Sequence, residues 1–171
     1  MDSDYQRIAD LFGLVVPDPE SEVADSALTD NPEHSREWAE QSLLKGDYTR
    51  AANHFRKVLE TQPKESMGAR MGLGTALECL GQSTQALRQF AQVIRESGGT
   101  SEAFVAMGEI YGREGRSSEA ITHLEAAIAK EPENPFFYLK LAEEYRKMGY
   151  LERALHVIQG AVLLGPDQSF Y

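Results

Sequence analysis

The chain has 171 residues, 42% of them hydrophobic, and a formal net charge of −10, enough for one domain with a continuous core. Its single cysteine, Cys79, rules out an internal disulfide framework and a multi-cysteine metal site, and fits a reducing compartment. Nine acidic groups stand against Arg7 alone in residues 1–33 while the remainder is nearly balanced, and no basic stripe interleaved with aromatics offsets this, which argues against a nucleic-acid partner.

Residues 1–31 form an acidic N-terminal segment. Asp2 and Asp4 stand where a secretory leader carries Lys or Arg, and the longest apolar run, residues 11–16, is interrupted by Gly13 and far too short to span a bilayer. The expectation is a cytoplasmic protein without export signal or membrane span. Residues 3–16 read as a short amphipathic helix with Tyr5, Ile8, Leu11, Phe12 and Val15 on one side. A Pro17-Asp18-Pro19 break and a polar linker follow, with one weak helix near residues 23–28.

From residue 32 to 166 the chain repeats itself. Gly46, Gly81, Gly115 and Gly149 recur at spacings of 35, 34 and 34, each ending one helical pattern and preceding another. Seven residues before each glycine stands a small residue, Ala39, Gly74, Gly108 or Ala142; five after it stands Ala51, Ala86, Ala120 or Ala154; four further on stands Phe55, Phe90, Leu124 or Ile158. Two antiparallel helices approach closely only where both present small side chains, and a left-handed glycine suits the reversal between them. Larger residues fill the space beyond, Trp38, Leu73, Met107 and Leu141 from first helices and Val58, Val93, Ala127 and Ala161 from second helices. One hairpin cannot bury both its faces, so neighbours must stack.

Helix punctuation agrees. Asn31-Pro32 and Asn134-Pro135 read as an N-cap followed by proline in the first turn, and Pro63, Pro132 and Pro166 fall where second helices should stop. First helices are expected at 33–45, 67–80, 101–114 and 135–148, second helices at 48–61, 83–96, 117–130 and 151–164, with a tail at 167–171.

Over residues 32–166 this pattern resembles the tetratricopeptide repeats, with Gly46-Asp47-Tyr48 and Leu59-Glu60-Thr61-Gln62-Pro63 especially close. The usual early tryptophan is replaced by Ser35, Arg70, Phe104 and Tyr138, and the second repeat ends in Gly98-Gly99 instead of proline, a pair that could loosen the joint to the third. The resemblance implies an all-α, right-handed superhelical solenoid of about four helix-turn-helix repeats, its first helices lining a concave groove. One row across that groove would be Arg36, Met71, Val105 and Leu139, and the row a turn later Glu40, Thr75, Glu109 and Glu143; Glu78, Arg113 and Arg146 lie beyond, toward a more basic edge. Only Arg36 matches the basic places used by relatives that clamp a chaperone's C-terminal carboxylate, so that role is not expected.

No catalytic, cofactor or metal site emerges. His34, His54, His123 and His156 are scattered without a nucleophile, Cys79 has no adjacent base, and Gly72-Leu73-Gly74 lacks the Lys-Ser/Thr of a phosphate loop. Glu143-Glu144 diverge by about 100° around a helix, so a solvated face is expected there rather than a metal pair. The expected function is a non-catalytic adaptor or assembly factor whose groove takes a peptide or helix with apolar anchors and at least one Lys or Arg. The alternative is a self-assembling subunit. Leu155, Val157, Val162, Leu163 and Leu164 make the last helix unusually apolar, and a second copy packed end to end, a neighbour's N-terminal helix or a dedicated partner would cover it.

Overall fold

The computed structural model describes residues 35–61 and 66–164, the side chain of Leu164 excepted. Expectations for the amphipathic N-terminal segment, His34, the Asn31-Pro32 cap, Pro63 and Pro166 lie outside the described residues.

Among these there are eight helices: α1 (Ser35–Leu44), α2 (Tyr48–Thr61), α3 (Ser66–Cys79), α4 (Ser83–Ser97), α5 (Ser101–Arg113), α6 (Ser117–Lys130), α7 (Pro135–Lys147) and α8 (Leu151–Leu164). They pair as four consecutive hairpins, α1/α2 to α7/α8, each hairpin packed on the next. First helices of neighbouring repeats touch one another directly, whereas second helices do not. The stack therefore curves, with α1, α3, α5 and α7 on its inner side.

The same turn closes every hairpin. Gly46, Gly81, Gly115 and Gly149 take φ of +77°, +73°, +75° and +78°, the left-handed conformation that ends a helix without a side-chain clash. In each, the residue after the glycine donates its N–H to the carbonyl five residues back: Asp47 to Ser42 at 2.9 Å, Gln82 to Leu77 at 2.8 Å, Arg116 to Tyr111 at 2.9 Å and Tyr150 to Tyr145 at 2.9 Å. At the start of α7, Asn134 accepts from the Phe136 N–H at 3.1 Å and Pro135 takes the first helical position. Thr100 caps α5 through the Ala103 N–H at 3.3 Å. Gly99, φ +81°, lies beneath the Phe104 ring, which would stand 2.6 Å from a Cβ there.

Within each hairpin the small residues meet as the spacing requires. Ala39, Ala51, Ala86, Ala120, Ala142 and Ala154 are buried, and a Cβ on Gly108 would come within 2.9 Å of the Leu124 side chain and 3.3 Å of the Ala120 carbonyl. Large knobs fill the space around these contacts: Phe55 lodges against α3 of the following repeat, Phe90 against α3 of its own hairpin, and Leu124 against both Gly108 of its own hairpin and the cluster of Phe137 and Leu141 in the next. A Cβ at Gly72 would lie 2.1 Å from the Phe55 ring and one at Gly74 2.6 Å from the Phe90 ring. Gly72-Leu73-Gly74 is thus a helix thinned on two sides to receive two phenylalanines. Each buried side chain of this size contributes about 1.5–3 kcal/mol, and the buried residues gather in two clusters that both have members on α5, one running from Ala39 to Ile110 and one made by Val105, Leu124, Ala127, Phe137 and Leu141.

The histidines divide. His54 is buried, His156 is exposed, and His123 stacks on Tyr111 with ring centroids 5.3 Å apart and planes at 12°. Desolvation holds the His123 pKa below its ordinary value. Cys79 is exposed at the end of α3.

Gly108→Leu should force α5 and α6 apart and destabilise by roughly 1–3 kcal/mol through overpacking. Gly160→Ala is the counterpart, since Tyr138 at 4.0 Å is the nearest obstacle to a Cβ there; it should stabilise by about 0.5–1 kcal/mol through helix propensity. Thermal unfolding followed by circular dichroism separates the two. Equal midpoints would contradict the placement of the contact.

Candidate functional site

Helices α3, α5 and α7 lie side by side on the inner face, and charged side chains reach across the two joints between them. Arg113 of α5 donates to Glu78 of α3 at 2.5 Å, and Lys140 of α7 pairs with Glu109 of α5 at 2.7 Å. Partly exposed pairs of this kind contribute about 0–1 kcal/mol each, so their main effect is to fix the register of neighbouring repeats. A third contact lies deeper. Glu144 is 5% exposed, and Lys147 donates to its Oε1 at 2.6 Å, a hydrogen bond that raises the pKa of the lysine ammonium.

The buried carboxylate fits because α5 has no side chain opposite it. A Cβ on Gly112 would meet Glu144 Oε1 at 2.4 Å and its carboxyl carbon at 2.9 Å. Beside this contact, between α5 and α7, opens a cavity of about 240 Å³ floored by Gly108 and Leu124 and rimmed by Glu109, Arg113, Lys140, Glu143, Glu144 and Lys147. The rim carries three acids and three bases.

The residues expected to line the groove fall into distinct environments. Arg36 is exposed and donates to Glu40 one turn on at 2.9 Å. Met71 is half-buried; Thr75 is exposed and donates its hydroxyl to the Met71 carbonyl at 3.1 Å. Leu139, Glu143 and Arg146 are exposed, and Glu78, Glu109 and Arg113 form the two cross-repeat pairs. Val105 departs from the expectation. It is buried among Leu124, Ala127, Phe137 and Leu141, because the fourth repeat closes over that part of α5. The apolar row is therefore broken in its middle.

Two further corrections concern charge. Glu144 is not part of a solvated face: α7 turns it inward over Gly112, while only its neighbour Glu143 points to solvent. The row of glutamates is also not bare, since Glu40, Glu109 and Glu143 have Arg36, Lys140 and Lys147 within 2.9, 2.7 and 3.6 Å. Sequence reasoning passed over Lys140. A signal existed: Lys140 follows Glu109 by 31 residues, one repeat less about one turn, and Arg113 follows Glu78 by 35, so opposite charges at those separations meet across a joint.

At the open end of the stack, Leu155, Val162 and Leu163 are exposed as expected, but Val157 is not. It packs onto the cluster of Val105, Leu124, Phe137 and Leu141, since helical phase turns it toward the body of the protein. Leu151 and Ile158 are exposed instead. The Leu164 side chain lies outside the description.

Among the described residues no group of His, Cys, Asp and Glu has the arrangement of a metal site, and no helix is long and apolar enough to cross a membrane.

Gly112→Ala should push the Glu144 carboxylate out of its niche and destabilise by roughly 1–3 kcal/mol. In a Glu144→Ala background the same change should become neutral or stabilising, by up to about 1 kcal/mol. A double-mutant cycle by chemical denaturation checks this, and additive effects would contradict the niche.

Comparison with known proteins accords with this architecture. Two models of the tetratricopeptide repeat family match, one over residues 43–102 and one over 101–144. A stretch of 129 residues is 24% identical to the human protein O-mannosyl-transferase TMTC1; it makes up 72% of this chain but only 14% of that protein's length. Among solved structures, MamA superposes with a TM-score of 0.76 at 19% identity, covering 88% of this chain and 87% of that one. MamA residues 41–end from Desulfovibrio magneticus RS-1 give 0.73 at 22% identity, covering 81% and 78%. YrrB, described as a TPR protein with an unusual peptide-binding site, gives 0.66 at 24% identity, covering 76% and 66%. With four like-closed hairpins stacked one on the next, the chain belongs to the tetratricopeptide repeat family.

Proposed function

We infer that this protein is a non-catalytic, cytoplasmic adaptor or assembly factor that holds an extended or helical segment of another protein along α3, α5 and α7. The observation that carries the reading is the inner face itself: helices locked in register by Glu78–Arg113 and Glu109–Lys140, with a cavity between α5 and α7 open beside them. A pre-set surface of this kind binds without first ordering itself, which lowers the cost of association. The solved peptide-binding relative YrrB shares the fold and supports the same use of it.

The chemistry of the segment follows from what the face leaves available. Phe136 and Leu139 are exposed on α7 and offer apolar contact. Glu143 sits 3.6 Å from Lys147, too long for a strong hydrogen bond, so its carboxylate retains capacity for a partner's Lys or Arg. An apolar anchor followed one helical turn later by a basic residue is the matching pattern.

A peptide array of systematically varied sequences provides the test. Peptides that combine apolar and basic residues should bind the wild-type protein. Leu139→Asp with Glu143→Lys should weaken those hits at least about tenfold, near 1.4 kcal/mol, with helicity unchanged. Arg88→Glu, on the exposed side of α4, should have no effect. Equal affinity of all three proteins would remove this face from the mechanism.

A further inference from the structure

The solenoid covers its second helices by stacking, and α8 has no successor among the described residues. Ile158 occupies the place held by Phe55, Phe90 and Leu124 in the earlier repeats; those are 2%, 0% and 1% exposed, whereas Ile158 is 38% exposed. Leu155 corresponds to Ala52, Leu87 and Ile121, and Val162 to Leu59, Ile94 and Ile128, all buried or half-buried against a following repeat. Leu151, Leu155, Ile158 and Val162 recur at spacings of four, three and four, within an arc of about 60° on the helix. Among the described residues the positions that carry one repeat onto the next are exposed only here, and Leu163 beside them is 83% exposed.

We propose that this seam is the docking surface for a second copy of the chain, the two α8 helices packing antiparallel across a two-fold axis between Leu155 and Ile158. The pattern is self-complementary under that operation: Leu151 of one copy meets Val162 of the other, and Leu155 meets Ile158. Charge selects the direction. Glu152 and Arg153 are the only Asp, Glu, Lys or Arg residues in α8, so an antiparallel pair sets each against the other copy's uncharged C-terminal half and aligns the helix dipoles favourably. A parallel pair would place Glu152 beside Glu152. Head-to-tail stacking fits less well, because α1 turns Arg36, Glu37, Glu40 and Gln41 to solvent and has no apolar stripe to match the seam. The dimer joins two inner faces into one bivalent array, which raises the avidity for a partner that presents its segment twice.

The test uses the full chain. Light scattering in the high micromolar range should give twice the monomer mass, and Leu155→Glu with Val162→Glu should weaken dimerisation by about 100-fold or more while helical circular dichroism stays unchanged. In a Cys79→Ser background, a mixture of Leu151→Cys and Val162→Cys proteins should cross-link under mild oxidation, and neither should cross-link alone. A wild-type monomer would overturn the proposal and leave the seam to a segment of the same chain or to another protein. A dimer that survives the two glutamates, or a cross-link between identical cysteines, would overturn it as well.

Discussion

A hairpin of two helices has one face too many. Its internal contact can be tight, as the buried alanines at 51, 86, 120 and 154 are, yet the outer side of its second helix remains apolar and must be covered by something else. Here the cover is the next hairpin, and the fit is specific. Phe55 enters where Gly72 of the next hairpin has no side chain, and Leu124 packs with Phe137 and Leu141 of the next. Stability is therefore shared along the array rather than lodged in any repeat. The open α8 seam follows from the same rule.

Electrostatics does a different job. The ion pairs on the inner face are partly exposed and too weak to drive folding, but two of them, Glu78–Arg113 and Glu109–Lys140, span joints between repeats and resist sliding of one first helix along another. Glu144 is the exception in depth. Its niche depends on the missing side chain of Gly112, and its charge on Lys147. An inner face built this way is polar, balanced in charge and held by the core behind it.

Much of the architecture was legible because the repeat announces itself in small residues. The helices expected at 48–61, 117–130 and 151–164 are the helices found, and the others differ by at most two residues at either end. The glycine turns and the Asn134-Pro135 cap were equally plain, since each demands a particular residue for a stereochemical reason. The site was less legible. Val105 and Val157 were placed by counting along a regular helix, but burial depends on how far the neighbouring repeat leans over, and a linear pattern does not encode that angle. Glu144 was misread because its burial arises from an absence, the hydrogen at Gly112, on a different helix 32 residues earlier. Lys140 escaped because the inner face was read as rows at constant repeat position, whereas the cross-repeat pairs run diagonally.

If a partner segment docks on the protein as proposed, it is the inner helices, and not the outer ones, that receive it. Hydrogen exchange with mass spectrometry on the full chain, with and without a saturating apolar-basic peptide selected from the array, addresses it directly. Exchange should slow in α5 and α7, and to a lesser extent in α3, with α4 and α6 unchanged. Protection confined to α4 and α6 would contradict this placement.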